Sequence, residues 1–141
     1  MKTVRELTEE YADILHQKEC EIFGADAWSK SAFLSSFESE YCKIFGIFAD
    51  DVLSGYGVIY DVAGEIEIVN IAIFPEYRRK GLGEELLKFI LKIPADKYVL
   101  QVRVSNIPAK NLYEKHGFEN VTRIRDFYEN PTEDAFLLIR C

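Results

Sequence analysis

Two spacings of apolar residues alternate along the chain and divide it into eleven expected elements. Over residues 9–22, Tyr11, Ile14, Leu15, Lys18 and Ile22 mark one mostly apolar helical face behind Thr8, and Gly24 ends the run. Ser29 follows Trp28 and caps a second expected helix to about Glu38, with Ala32, Phe33 and Phe37 inward. Residues 41–49 and 52–60 are rich in β-branched and aromatic side chains and read as strands joined at Asp50-Asp51. Ala63-Gly64 then turns the chain into an apolar run from Glu65 that ends at Pro75. Leu82, Leu86, Leu87, Ile90 and Leu91 return to helical spacing and stop before Pro94. A strand over 98–104, a helix over 108–116 closed by Gly117, and strands over 118–127 and 135–139 complete the chain. With a short edge strand at 2–6, the order is β-α-α-β-β-β-α-β-α-β-β. Without repeat, linker or low-complexity segment, this predicts one mixed α/β domain spanning 1–141.

Composition narrows the function classes. The chain has 141 residues, 48% hydrophobic and 29% charged, enough for one real core and short for two. No apolar run is long enough to span a membrane, and Glu9, Glu10 and Asp13 interrupt any early leader, so a cytoplasmic protein is expected. Seventeen basic against 24 acidic side chains give a net charge of −7, which argues against a nucleic-acid surface and suits a basic protein substrate. Cys20, Cys42 and Cys141 are odd in number and far apart, as expected of free thiols, and His16 and His116 have no neighbours at ligand spacing, so no metal is expected.

Candidate chemistry begins where the 65–75 strand meets the next helix. Glu76-Tyr77-Arg78-Arg79-Lys80-Gly81-Leu82-Gly83 places three cations and two glycines at a helix N-terminus, where free backbone N–H groups and the helix dipole favour an anion. It is not a P-loop, because Glu84-Glu85 follows Gly83 where Lys-Ser/Thr would stand. A dinucleotide fingerprint would need a third Gly or Ala at Leu86. Arg-x-x-Gly-x-Gly directly after Asn70-Ile71-Ala72-Ile73 resembles the coenzyme A pyrophosphate loop of the GNAT superfamily of N-acetyltransferases. Such a resemblance implies a central, mostly antiparallel mixed sheet of six to seven strands flanked by about four helices, with acetyl-CoA as cosubstrate.

Downstream, Val102-Arg103-x-Ser105-Asn106-x-x-Ala109-x-x-Leu112-Tyr113-x-x-x-Gly117-Phe118 resembles the RimI branch of that superfamily, whose members acetylate the N-terminal alanine of a ribosomal protein. Trp28-Ser29 and Tyr128 with Glu133-Asp134-Ala135 are similar to the same branch, so the resemblance spans nearly the whole chain. It implies that Ile71, Ala72 and Ile73 offer backbone groups to the pantetheine arm. Arg79, Lys80, Gly81, Leu82, Gly83 and Glu84 would wrap the pyrophosphate, and Asn106 would hold the pantetheine. Tyr113 would face the thioester sulfur as general acid. A tyrosine with a pKa near 10 is suited to protonate a thiolate with a pKa near 8.5.

One departure bears on mechanism. The RimI pattern carries a glutamate as general base where this chain has Gln101, and an amide accepts no proton at neutral pH. Glu67 is the replacement candidate, because the run Glu-Ile-x-x-x-Ala matches the base position of the histone-acetyltransferase branch. Glu65, Glu67 and Val69 share one face of their strand. An α-amine with a pKa of about 7.7–8.0 is already roughly one-tenth neutral at pH 7, so it tolerates loss of a base far better than a lysine does. The expected activity is direct acetyl transfer to a primary amine. A small-amine acetyltransferase and a catalytically silent acetyl-CoA-binding module are the alternatives.

Overall fold

The computed structural model describes residues 1–141, which build one seven-stranded sheet with helices on both faces. In chain order the elements are β1 (Lys2–Glu6), α1 (Ala12–Phe23), α2 (Lys30–Glu38), β2 (Cys42–Ala49), β3 (Val52–Val62) and β4 (Glu65–Ile73). They continue with α3 (Leu82–Leu91), β5 (Lys97–Arg103), α4 (Ile107–Lys115), β6 (Glu119–Tyr128) and β7 (Glu133–Arg140). This is the order the sequence predicts, with 3-10 turns added at Glu9–Tyr11, Gly24–Asp26 and Pro75–Tyr77. The sheet order is β1-β2-β3-β4-β5-β7-β6, and only β4 and β5 run parallel, joined across one face by α3. No helix is long and apolar enough to cross a membrane.

Local chemistry explains most boundaries. The Ser29 hydroxyl accepts the Ala32 N–H at 3.1 Å and starts α2. Thr8 does not cap in the expected way, since its hydroxyl donates to Glu10 and a 3-10 turn precedes α1. Gly117, at φ 91°, takes the left-handed position after α4. Asp50 and Asp51 are both left-handed, which fits a tight turn between twisted strands.

The sheet divides the core. On one face, Leu82, Leu86, Leu87 and Ile90 of α3 pack on Ile59, Ile66, Ile68, Leu100 and Leu138. On the other, Leu15 of α1 and Phe33 of α2 cover Ile44, Phe48, Tyr56, Val58, Ala72 and Phe74. Strand β4 changes sides part-way along. Ile59 pairs with Ile68 but Val58 pairs with Asn70, so Val69 is an extra, bulged residue. Before the bulge Ile66 and Ile68 face α3; after it Ile71 and Ile73 do, and Ala72 turns to the opposite core.

Candidate active site

The bulge also opens the sheet. β4 and β5 pair only from Glu65 with Lys97 to Ile68 with Leu100; from Gln101 onward β5 continues against β7 alone. Beyond that point the strands diverge, and the edge of β4 that faces β5 has no strand beside it. The resulting cleft, about 210 Å³, is lined by Val69, Asn70 and Ile71 of β4 and by Gln101, Val102 and Arg103 of β5. Asn106, Ala109 and Tyr113 come from α4, and Phe23 and Tyr128 close the far side.

At the α3 end of β4, the basic turn is shaped by backbone geometry. Arg79 (φ 64°) and Gly81 (φ 75°) are left-handed, and Arg78 Nε donates to the Ile73 carbonyl at 3.1 Å. Lys2 Nζ donates to the Lys80 carbonyl at 3.0 Å, pinning the turn to β1. Gly81 is the N-cap of α3 and no side chain caps it. The first bond into the helix is Glu85 N–H to the Gly81 carbonyl at 3.1 Å, so the N–H groups of Leu82, Gly83 and Glu84 precede it. A Cβ on Gly83 would meet only Ile73 Cγ1 at 3.7 Å, an ordinary contact, so nothing inside the protein demands glycine there. Glu84 turns from the turn to His116 Nε2 at 2.7 Å and Lys115 Nζ at 2.9 Å; these hydrogen bonds hold its carboxyl down at about 2.

The expected site residues fall into two groups. Ile71, Asn106 and Tyr113 all line the cleft, and Ala72 and Ile73 continue the same strand toward the 79–84 turn. Asn106 Oδ1 also accepts the Ala109 N–H at 3.3 Å as the cap of α4. Tyr113 packs edge-on to Phe118, ring centroids 5.8 Å apart, and burial pushes its hydroxyl up to about 12, so it stays protonated. Gln101 stands at the apex, one residue past the last β4–β5 pair. Glu67 is not brought to the cleft. It lies opposite Val99, where the two strands are still paired, and lines a separate depression with Tyr60, Val62, Ala63 and Glu65.

A second cavity, about 380 Å³, adjoins the cleft and shares Phe23, Val69, Asn70, Arg103 and Tyr128 with it. Glu19, Asp26, Trp28, Phe127 and Glu129 complete its lining. Arg103 holds its walls together. Nη2 donates to Asp26 Oδ2 at 3.2 Å and the Glu129 carbonyl at 3.0 Å; Nη1 donates to the Pro131 carbonyl at 3.0 Å and Glu133 Oε1 at 3.2 Å. The guanidinium lies 4.4 Å from the Tyr128 ring centre. One side chain thus joins the α1–α2 loop, β5 and the β6–β7 hairpin.

The profile of the acetyltransferase (GNAT) family matches residues 3–118. The chain belongs to the GNAT family. A relative from Bacillus subtilis (strain 168), provisionally named a ribosomal protein bS18-alanine N-acetyltransferase, is 35% identical over 98% of this chain and 96% of its own. The ribosomal protein bS18-alanine N-acetyltransferase of Salmonella typhimurium is 32% identical over 79% and 78% of the two chains. The crystal structure of the ribosomal-protein-S18-alanine N-acetyltransferase from Escherichia coli superposes with a TM-score of 0.89, at 29% identity, over 99% of this chain and 93% of that one. This GNAT chain is therefore an N-acetyltransferase by family. Glu19, one of two glutamates on α1, also lines the second cavity, a placement that helical spacing alone does not mark. In the sequence Arg103 is only one position of the Val-Arg-x-Ser-Asn pattern, and its four hydrogen bonds appear only in the fold.

Proposed function

We propose that this enzyme transfers the acetyl group of acetyl-CoA to the N-terminal amine of a ribosomal protein, alanine first, by direct attack with both substrates bound. The observation that carries this reading is the junction of the two cavities at Val69, Asn70 and Tyr128. A cosubstrate entering from the α3 turn and an amine entering past Trp28 meet there. Likeness to bS18-alanine N-acetyltransferases along nearly the full chain supports the choice of acceptor. The whole chain, 1–141, acts as one such domain, in the cytoplasm.

Each residue has a task in this reading. Arg79, Lys80, Gly81, Leu82, Gly83 and Glu84 wrap the pyrophosphate, chiefly with backbone N–H groups at the start of α3. The unpaired edge of β4 at Ile71, Ala72 and Ile73 hydrogen-bonds the pantetheine as an added strand would, and Asn106 steadies it from α4. Strand N–H groups beside the thioester carbonyl stabilise the negative oxygen that forms as the amine adds. Tyr113 gives its proton to the departing thiolate. No acyl-cysteine is needed. Cys42 is buried in the α1–α2 core, and Cys20 lines neither cavity.

The test is thiol release from acetyl-CoA with a basic peptide beginning with alanine, against the same peptide N-terminally blocked but carrying lysine. Turnover is expected on the free N-terminus alone. Tyr113→Phe should lower kcat by about 10² to 10⁴, the range of a lost general acid, with acetyl-CoA affinity little changed. Turnover only on polyamines or amino sugars would move the acceptor to that class. Wild-type binding without turnover, with activity appearing in Gln101→Glu, would identify a silent module.

A further inference from the structure

Neither the cleft nor Gln101 supplies a proton acceptor, since none of the residues lining the cleft is a carboxylate. The adjoining cavity has three: Glu19, Asp26 and Glu129. Asp26 is committed to Arg103 and to Asn130 Nδ2 at 3.0 Å, and Glu129 is exposed. Glu19 is different. It is only 2% exposed, yet it forms no ion pair. Its donors are all neutral: Tyr56 Oη and Asn70 Nδ2 (3.1 Å) both serve Oε1, and the Trp28 N–H serves Oε2 at 3.0 Å. Oε2 therefore keeps acceptor capacity that no protein group uses.

A buried carboxylate without a cation is costly, and such groups are normally paired. The cavity that Glu19 lines is the one that would admit an amine, and an α-amine arrives at neutral pH mostly as ammonium. We propose that Glu19 receives the acceptor's ammonium group and takes its proton, doing the work that Gln101 cannot. This rests on the acetyltransferase reading above and names the residue that activates its acceptor.

The step balances. One N–H bond of the ammonium breaks and an O–H bond forms on Glu19 Oε2, leaving a neutral amine and a neutral carboxyl group, a pairing that a desolvated site favours over two charges. The freed lone pair adds to the thioester carbonyl carbon and forms the C–N bond, and the C–S bond breaks as that adduct collapses. Tyr113 protonates the departing thiolate, the second proton lost from nitrogen passes through water to restore the Tyr113 hydroxyl, and Glu19 returns its proton to water. Other charged or titratable groups face this carboxylate. Tyr56 comes from β3, and His16 of α1 holds the other side of the same Trp28 backbone, its Nδ1 donating to the Trp28 carbonyl at 2.9 Å. Asp26, Arg103, Tyr128 and Glu129 lie across the cavity. Tyr56 is held well above the ordinary tyrosine range by burial and by the Glu19 carboxylate, so it remains a donor throughout.

The experiment is the pH dependence of kcat/KM for the alanine peptide in wild type and Glu19→Gln. In wild type the ammonium is the species taken up, so kcat/KM should be level between about pH 6 and 7.5. In Glu19→Gln only the neutral amine reacts. Its kcat/KM should be about tenfold lower at pH 7, fall roughly tenfold per pH unit below that, and approach wild type near pH 9. A loss of equal size at every pH would mark a structural role and overturn the proposal. So would the pH-dependent loss appearing in Glu67→Gln instead. Should Glu19→Gln fail to fold, Tyr56→Phe keeps the carboxylate but removes one donor; its acid-side limb should move to higher pH, and an unmoved limb overturns the proposal. If the alanine peptide is not turned over but a small amine is, that amine is used, which separates failure of the acceptor class from failure of Glu19. A wild type that turns over no amine overturns both.

Discussion

Glu84 lies at the start of α3 and is tied there by two side chains from the end of α4, Lys115 and His116. Its carboxyl is held down at about 2, first by His116 and then by Lys115. Because the folded value is depressed, the contact favours the fold above the ordinary carboxylate range and is lost as pH falls from about 4.5 towards 2. His116→Ala should therefore move the Glu84 titration back up toward the ordinary range, read by carboxyl NMR, and lower thermal stability across the neutral range, with the difference from wild type shrinking as pH falls from about 4.5 towards 2. Residues of this kind were the least legible in the sequence. His116 sits at the C-terminal end of α4, as the 108–116 helix predicts, but its partner lies 32 positions away. Glu19 reaches Tyr56 and Asn70 across 37 and 51 positions, and nothing in helical periodicity announces such a contact.

Elements were far more legible, because caps and turns are local chemistry. Ser29, Gly117 and the residues around Pro94 and Pro108 each set a boundary by their own donors or dihedral angles. The Val69 bulge was not legible, since the alternation that puts Glu65, Glu67 and Val69 on one face continues unmarked through Val69, and no glycine or proline in the strand signals where the register shifts. The α3 turn offers a test that separates its two glycines. Gly83→Ala meets no close neighbour, so stability should hold while acetyl-CoA binding weakens about tenfold to a hundredfold, the worth of a charge-assisted hydrogen bond of about 1.5–3 kcal/mol. Gly81→Ala must hold φ near 75° and should also lose about 1 kcal/mol of stability. Thermal melts with and without cosubstrate, beside direct titration, distinguish the two.

At the scale of the molecule, net charge and cavity lining point the same way. A chain of net charge −7 with three carboxylates around its second cavity should draw cationic acceptors from a distance. The KM for a basic alanine peptide should therefore rise about threefold or more between 50 and 300 mM salt, as the Debye length shortens, while the KM for a neutral peptide stays nearly level. The architecture itself was readable because element order and the α3 crossover leave few topologies open. The parting of β4 from β5 was not, because it depends on one unpaired residue. That parting has a consequence for the protein's life among other chains. A bare strand edge ordinarily invites any neighbouring strand to extend the sheet, and many proteins armour theirs with lysine or proline. Here the bare edge is recessed between two strands of its own sheet, where there is width for one slender extended molecule and none for the sheet a foreign strand would bring behind it. The same hydrogen bonds can stand open to a small guest and stay closed to aggregation.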